Sequence, residues 1–162
     1  MIYVIITTCI SNRYGIIDAA QRQERYLHSI RDTLVHVPAS MIPILVENNG
    51  SRATYLDHFT HHGQAVPVVY TDNNQILCTN KAVNELMDLK EVIRRVGIQD
   101  TDMIIKLTGR YRVTSPVFFQ TVMEHEKAYD AFLKCYNVCT RMFDPHDAVL
   151  GCYAIRCNYL RL

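Results

Sequence analysis

The chain has 162 residues, 49% of them hydrophobic and 20% charged, with 17 basic against 16 acidic side chains. That length and balance fit one globular domain with a real core and exclude a disordered chain. A net charge of +1 lacks the basic excess of a general nucleic-acid binder, and no apolar run is long enough to span a bilayer.

Residues 2–8 are nearly continuous, β-branched and apolar, which predicts a fully buried first strand. The start has neither a basic lead nor a small-residue cleavage site, so no signal peptide is expected and a cytoplasmic location is the default. The polar loop Ser11-Asn-Arg-Tyr-Gly15 follows. Residues 18–36 place Tyr26, Leu27, Ile30, Leu34 and Val35 at helical spacing, with Asp18 as N-cap and Pro38 beyond the end. A second strand is predicted over 41–47, then the turn Asn48-Asn-Gly-Ser51, a short helix over 52–62 and a third strand over 66–70. His58, His61 and His62 read as a surface cluster, since His-Glu-x-x-His is absent.

Residues 80–96 form a long amphipathic helix stopped by Gly97, and Met103–Thr108 a fourth strand. Ser115 and Pro116 open another helix, Ser as cap and Pro at its first position. Two late strands are predicted over 129–135 and 148–157, separated by Asp144-Pro-His-Asp147. Strands alternating with helices imply parallel crossovers. The predicted fold is therefore α/β and Rossmann-like, a mostly parallel sheet with helices on both faces.

Ligands of such sheets sit outside the carboxyl ends of the strands. The loops there carry Thr8 and Arg13, then Glu47 and Asn48, then Asp72 and Asn74, then Arg110 and Tyr111. Arg supplies a rigid fork for phosphate oxygens, Lys106 a point charge, and Tyr111 a stacking face with a hydroxyl. Alternation along the fourth strand puts Lys106 and Thr108 on one side, so they act together or not at all. Asn80, Lys81 and Glu85 open the long helix, either as a capped start with an i,i+4 ion pair or as a wall facing an anionic ligand. The fingerprints G-x-G-x-x-G and G-x-x-x-x-G-K-[ST] are both absent, which disfavours a Rossmann oxidoreductase and a P-loop hydrolase.

Six cysteines in such a domain are expected as reduced thiols. Cys135-x3-Cys139 and Cys152-x4-Cys157 imitate a zinc site only loosely, the second pair falling in a strand-like segment. Asp100-x-Asp102 precedes its strand, which places it on the side opposite the ligand crevice.

Five segments in order carry a resemblance: Val4-Ile-Ile-Thr-Thr8, Ile44-Leu-Val-Glu-Asn-Asn-Gly50, Asn80-Lys-Ala-Val-Asn-Glu85, Asp102-Met-Ile-Ile-Lys-Leu-Thr-Gly-Arg-Tyr111 and Gly151-Cys-Tyr-Ala-Ile-Arg156. The series resembles small glycosyltransferase-like proteins of the GT-A fold, of the kind found in large DNA viruses and bacterial surface-polysaccharide clusters. The resemblance implies a late antiparallel strand and transfer of a sugar from a nucleotide-sugar donor to a hydroxyl of a carbohydrate or glycoprotein acceptor. The donor site maps onto Thr8, Arg13, Glu47, Asn48, Asp72, Asn74, Asn80, Lys81, Glu85 and Tyr111. Gly151, Tyr153 and Arg156 fall on the acceptor side. Lys106 and Arg110 are candidates for stabilising the leaving diphosphate, and Asp144 and Asp147 for the general base.

GT-A enzymes usually show Asp-x-Asp after the fourth strand, where a divalent metal (Mn or Mg) bridges the diphosphate. Thr108-Gly-Arg110 stands there in this chain. Either a cation replaces the metal, or the metal is held elsewhere, or activity is lost. The sequence stops soon after the late strand, so a partner domain or second chain is a candidate to complete the acceptor side. Two other readings stand beside transfer: a non-catalytic nucleotide-binding module, and a nucleotidyltransferase, for which Ser11–Gly15 is a poor version of the Gly-rich basic loop.

Overall fold

The computed structural model describes residues 1–11, 18–75, 81–135, 137, 140 and 142–161. Its strands are Ile2–Thr8 (β1), Ile42–Glu47 (β2), Thr60–His61 (β3), Gln64–Ala65 (β4), Val68–Tyr70 (β5), Met103–Thr108 (β6), Ala131–Phe132 (β7) and Cys152–Arg156 (β8). The helices are Ala19–His36 (α1), Lys81–Val96 (α2) and Val117–His125 (α3). Six strands make one sheet in the order β5-β2-β1-β6-β8-β7, and β3 pairs with β4 in a separate hairpin.

β5, β2, β1 and β6 are parallel, and β8 runs antiparallel to β6. The chain lays down β1, β2 and β5 on one side and then crosses to β6 on the other, so the strand order switches between β1 and β6. Every residue of β1 is buried, which explains its unbroken apolar run: both faces are covered. On one face Val4, Ile6 and Ile105 pack with Tyr26, Ile30 and Leu34 of α1 and Phe119 and Val122 of α3. On the other, Tyr3, Ile5, Ile44 and Ile104 pack with Leu89, Val92 and Ile93 of α2. This is the fold read from the pattern, with helices on both faces, and β8 is the late antiparallel strand that the resemblance implied. No described helix is long and apolar enough to cross a membrane.

The structure corrects several local readings. Residues 52–62 are no helix: a single 3-10 turn spans Thr54–Leu56, and β3 and β4 then form a tight hairpin around His62 (φ 46°) and Gly63 (φ 79°). The buried Leu56 and Phe59, which suggested helical spacing, fit this turn equally well. α3 begins at Val117 with Pro116 as its cap, and Ser115 Oγ accepts the Val117 N–H at 3.3 Å. The late strands are shorter than predicted, with an isolated Cys135–Ala148 bridge between them. Val35 is 77% exposed, outside the buried stripe of α1. Cys152 and Cys157 pack on opposite faces of the sheet, which defeats a shared zinc, and Cys139 lies outside the described residues. Asp102 closes a turn at the far end of β6, accepting the Gln99 N–H at 2.9 Å and the Met1 ammonium at 2.7 Å.

Lys106 breaks the apolar run of β6 yet is only 1% exposed. Its ammonium is 2.8 Å from Glu85 Oε2 and donates to Thr108 Oγ1 at 2.9 Å and to the Leu150 carbonyl at 3.0 Å. All three N–H donors are thereby used. The side chain ties α2 and the segment before β8 to the middle of the sheet.

Replacing Lys106 by Ala strands Glu85 beside a new void. The cost expected is about 3 kcal/mol, at the low end for a broken buried pair because Glu85 keeps some solvent. Urea unfolding measures it; a loss below about 1 kcal/mol would show that the pair does not hold the sheet and helix together.

Candidate functional site

The carboxyl ends of β1, β2 and β6 and the first turns of α2 enclose a cleft. It lies at the switch in strand order, where open α/β sheets bind ligands. Thr7, Thr8, Asn48, Glu85 and Thr108 contribute from the sheet ends and α2, and Arg22 and Tyr26 from α1.

One wall is an ordered acid–base array. Thr7 Oγ1 donates to Glu85 Oε1 at 2.9 Å, and Thr108 Oγ1 approaches the same oxygen at 3.3 Å. Lys106 holds the other oxygen from beneath. The ring of Tyr153 lies 6.0 Å from Lys106 Nζ. Burial, then the charge of Glu85, pushes the Tyr153 phenol up to about 12, so it enters the site as a neutral hydroxyl.

Two further carboxylates are buried outright, each in a nest of donors. Glu47 is 0% exposed and accepts from Thr8 Oγ1 at 2.7 Å, Ile10 N–H at 2.9 Å and Asn49 Nδ2 at 3.1 Å, with the Tyr55 hydroxyl also bonded to it. It thus anchors the loop after β1 to the end of β2. Burial and the neighbouring Glu47 charge raise the Tyr55 phenol far above its ordinary value. On the opposite face of the sheet Asp88 of α2, also 0% exposed, accepts from Thr71 Oγ1 at 2.5 Å, Asn73 Nδ2 at 2.7 Å and Asn48 Nδ2 at 2.8 Å. Burial raises its pKa, and these hydrogen bonds partly oppose the rise.

The loop after β1 is held from α1. Arg22, 3% exposed, donates from Nε and Nη2 to the Cys9 carbonyl at 2.9 and 2.6 Å and from Nη2 to the Tyr26 hydroxyl at 2.7 Å. Asn74 Nδ2 reaches across to the Ser11 carbonyl at 2.6 Å. Gly109 lets the end of β6 lie against β1: a Cβ there would stand 2.9 Å from the Thr7 carbonyl. The chain is then free to turn Arg110 toward the cleft, where its guanidinium makes no ion pair with a described residue. Tyr111, 44% exposed, lies over Gly151, where an added Cβ would sit 2.0 Å from its ring.

Of the residues the sequence singled out, Thr8, Asn48, Asn74, Glu85 and Arg110 line the cleft. Glu47 and Lys106 support it from below, and Gly151, Tyr111 and Tyr153 flank the β6–β8 side. Arg156 belongs elsewhere. It pairs with Met103 at the opposite end of β6, holding Asp130 Oδ1 at 2.9 Å and the Thr101 carbonyl at 2.8 Å. The two ends of this five-residue strand lie at opposite ends of the sheet's strands, so Arg156 lies away from the cleft. Asp144 and Asp147 close their own turn and do not line the cleft, and Asp72 is exposed outside it. Arg13 and Asn80 lie outside the described residues, as does the Lys81 side chain.

Sequence reading missed Arg22, Tyr26 and Asp88. Each left a signal: Arg22 falls one turn before Tyr26 on the buried stripe of α1, and Asp88 sits beside Leu89 on that of α2. A charge inside an apolar stripe needs a partner there.

A divalent cation on a diphosphate needs hard oxygen ligands. The place after β6 offers Thr108, Gly109 and Arg110, and Glu85 is already matched by Lys106. Among the described residues no three of His, Cys, Asp and Glu converge on one point. Among the described residues this donor set does not fit a protein-held divalent metal, and Arg110 places a positive charge at that end of the cleft.

No protein-family model and no curated protein matches the sequence. Solved structures do. A Desulfovibrio desulfuricans protein described as a nucleotide-diphospho-sugar transferase superposes with a TM-score of 0.58 at 7% identity, over 96% of this chain and 63% of its own. Rv0371c of Mycobacterium tuberculosis gives 0.55 at 12% identity, over 99% of this chain and 73% of its own, and its manganese complex gives 0.52 at 14% over the same shares. The 4-diphosphocytidyl-2C-methyl-D-erythritol synthase of Anaerococcus prevotii gives 0.51 at 13%, over 96% and 70%. At such identities the likeness establishes the fold alone, and the chain has a Rossmann-like GT-A fold.

Proposed function

We propose that this chain binds a nucleotide sugar in the cleft and transfers the sugar to an acceptor hydroxyl. The observation that carries the reading is Arg110, a cation without an ion-pair partner among the described residues, at a cleft over the ends of β1, β2 and β6. In transfer the anomeric carbon–oxygen bond of the donor breaks, the nucleoside diphosphate leaves, and the acceptor oxygen bonds to that carbon as its proton is lost. Negative charge grows on the leaving diphosphate. A fixed cation there stabilises the transition state more than the ground state.

Arg110 is the residue for that role. Lys106 supports it indirectly, since its three donors already hold Glu85, Thr108 and the Leu150 carbonyl. Thr8 and Asn74 hold the loops that shape the donor pocket, and Tyr111 offers an exposed ring beside Gly151. Glu85 is the carboxylate among the described cleft residues, placed to hold a sugar hydroxyl while Lys106 and Thr7 fix its orientation. In this reading the acceptor approaches from the β8 side of the cleft.

The test is turnover. Purified protein is incubated with UDP-, GDP-, CDP- and ADP-sugars with and without chelator, and released nucleoside diphosphate is measured. Release that survives the chelator and falls about 10²- to 10³-fold in Arg110→Ala supports the reading. No release from any donor, or full activity in Arg110→Ala, would overturn it. Pyrophosphate formed from a nucleoside triphosphate and a sugar phosphate would identify a nucleotidyltransferase instead.

Gly151→Ala tests the Tyr111 side separately. The new methyl displaces only the far end of a tyrosine ring, so the melting temperature should stay near that of the parent while turnover falls roughly tenfold. Unchanged turnover would remove Tyr111 from the site.

A further inference from the structure

Arg110 faces two concavities. One is the cleft; the other is a groove between α1 and the residues that follow β6, with Arg25, His28, Arg110 and Arg112 on its lining. The two meet at the Arg110 side chain. Arg25 and His28 share one face of α1 with Asp32, at i, i+3 and i+7 spacing. The backbone between them is pinned, because Ser29, 2% exposed, donates from Oγ to the Arg110 carbonyl at 3.3 Å.

The charges of this groove are not balanced from within. Two carboxylates belong to it, Glu24 on the lining and Asp32 beside it. Asp32 accepts from Arg112 Nε at 2.6 Å and lies 3.4 Å from His28 Nε2, while both Nη groups of Arg112 remain without a described partner. Arg25 and Arg110 make no ion pair with any described residue, Glu24 included. Three guanidinium groups and a histidine thus stand against two carboxylates, one of them already engaged. Like charges gathered on one concave surface draw an anion to it.

We propose that the groove holds a carboxylate of the transferred sugar, so that the donor is a nucleotide-linked acidic sugar of the uronate class. This rests on the nucleotide-sugar reading of the cleft. With the diphosphate at Arg110, the group bonded next to it is the sugar, and the groove opens at that same side chain. A carboxylate presents two oxygens in one plane, which a guanidinium fork matches with paired hydrogen bonds. A neutral hexose, with a hydroxymethyl in that place, leaves these cations unanswered. Arg25 is the specificity-determining residue, since Arg110 serves the diphosphate and Arg112 is tied to Asp32.

Isothermal titration with UDP, CDP, GDP and ADP identifies the tightest binder. The neutral hexose and hexuronate derivatives of that nucleotide, in gluco, galacto and manno forms, are then titrated against the parent protein, Arg25→Gln and Arg25→Glu. One uronate should bind the parent about tenfold more tightly than its neutral counterpart. Arg25→Gln should remove most of that ratio, and Arg25→Glu should reverse it. Arg25 is exposed, so both variants should melt near the parent. A ratio near one in the parent, or a ratio that Arg25→Gln leaves intact, would overturn the assignment alone. So would a variant that weakens the bare nucleoside diphosphate as much as the uronate, since the groove would then serve the diphosphate. A nucleoside triphosphate bound more tightly than any uronate, with that advantage lost in Arg25→Gln, would give the groove to a terminal phosphate and overturn it as well. Failure of all four nucleotides to bind the parent protein would overturn the nucleotide-sugar reading, and this assignment with it.

Discussion

A lysine buried in the middle of the sheet is the constraint around which the cleft is organised. Lys106 could not remain charged at 1% exposure without partners. Its three come from α2, from its own strand and from the segment leading into β8. Satisfying one ammonium therefore fixes the distance between helix and sheet and brings the β8 side against β6. It also commits Glu85, whose other oxygen accepts from Thr7. The polar wall of the cleft follows from that single requirement.

The architecture was legible because burial on both faces leaves a plain signature. β1 reads as a nearly continuous apolar run and β6 as one broken only by Lys106, and their helices as stripes at 3.6-residue spacing. The failures lie where short elements are decided by contacts distant in sequence. Residues 52–62 carry apolar spacing that suits a helix, yet Tyr70 bonds to Ala53 and Asp57, and the chain turns at His62 and Gly63. Nothing local announces that choice. The site was legible in part for the same reason. Thr8, Asn48, Glu85 and Arg110 follow from strand ends and a helix start, whereas Arg22 and Asp88 depend on which face of a helix is buried. Arg156 lies apart from the cleft because a motif on one short strand was read as one surface, although the strand's two ends lie at opposite ends of the sheet.

The charges in the cleft form a consistent set. Negative groups that would compete with a diphosphate are neutralised or sequestered: Glu85 by Lys106, Glu47 in a nest of donors, and Asp88 beneath Asn48. Among the described residues Arg110 remains as the cation facing the opening without an ion-pair partner. An arrangement of this kind can hold an anion at the Arg110 end of the cleft. It also accounts for the residues at the end of β6. Thr108 completes the Lys106–Glu85 array, Gly109 permits close approach to β1, and Arg110 supplies the charge.

The most direct measurement is a crystal structure of the protein soaked with the nucleoside diphosphate that binds it best. The account predicts the diphosphate within hydrogen-bonding distance of the Arg110 guanidinium. A nucleotide bound away from this cleft, or seated in it with its phosphates away from Arg110, would contradict it.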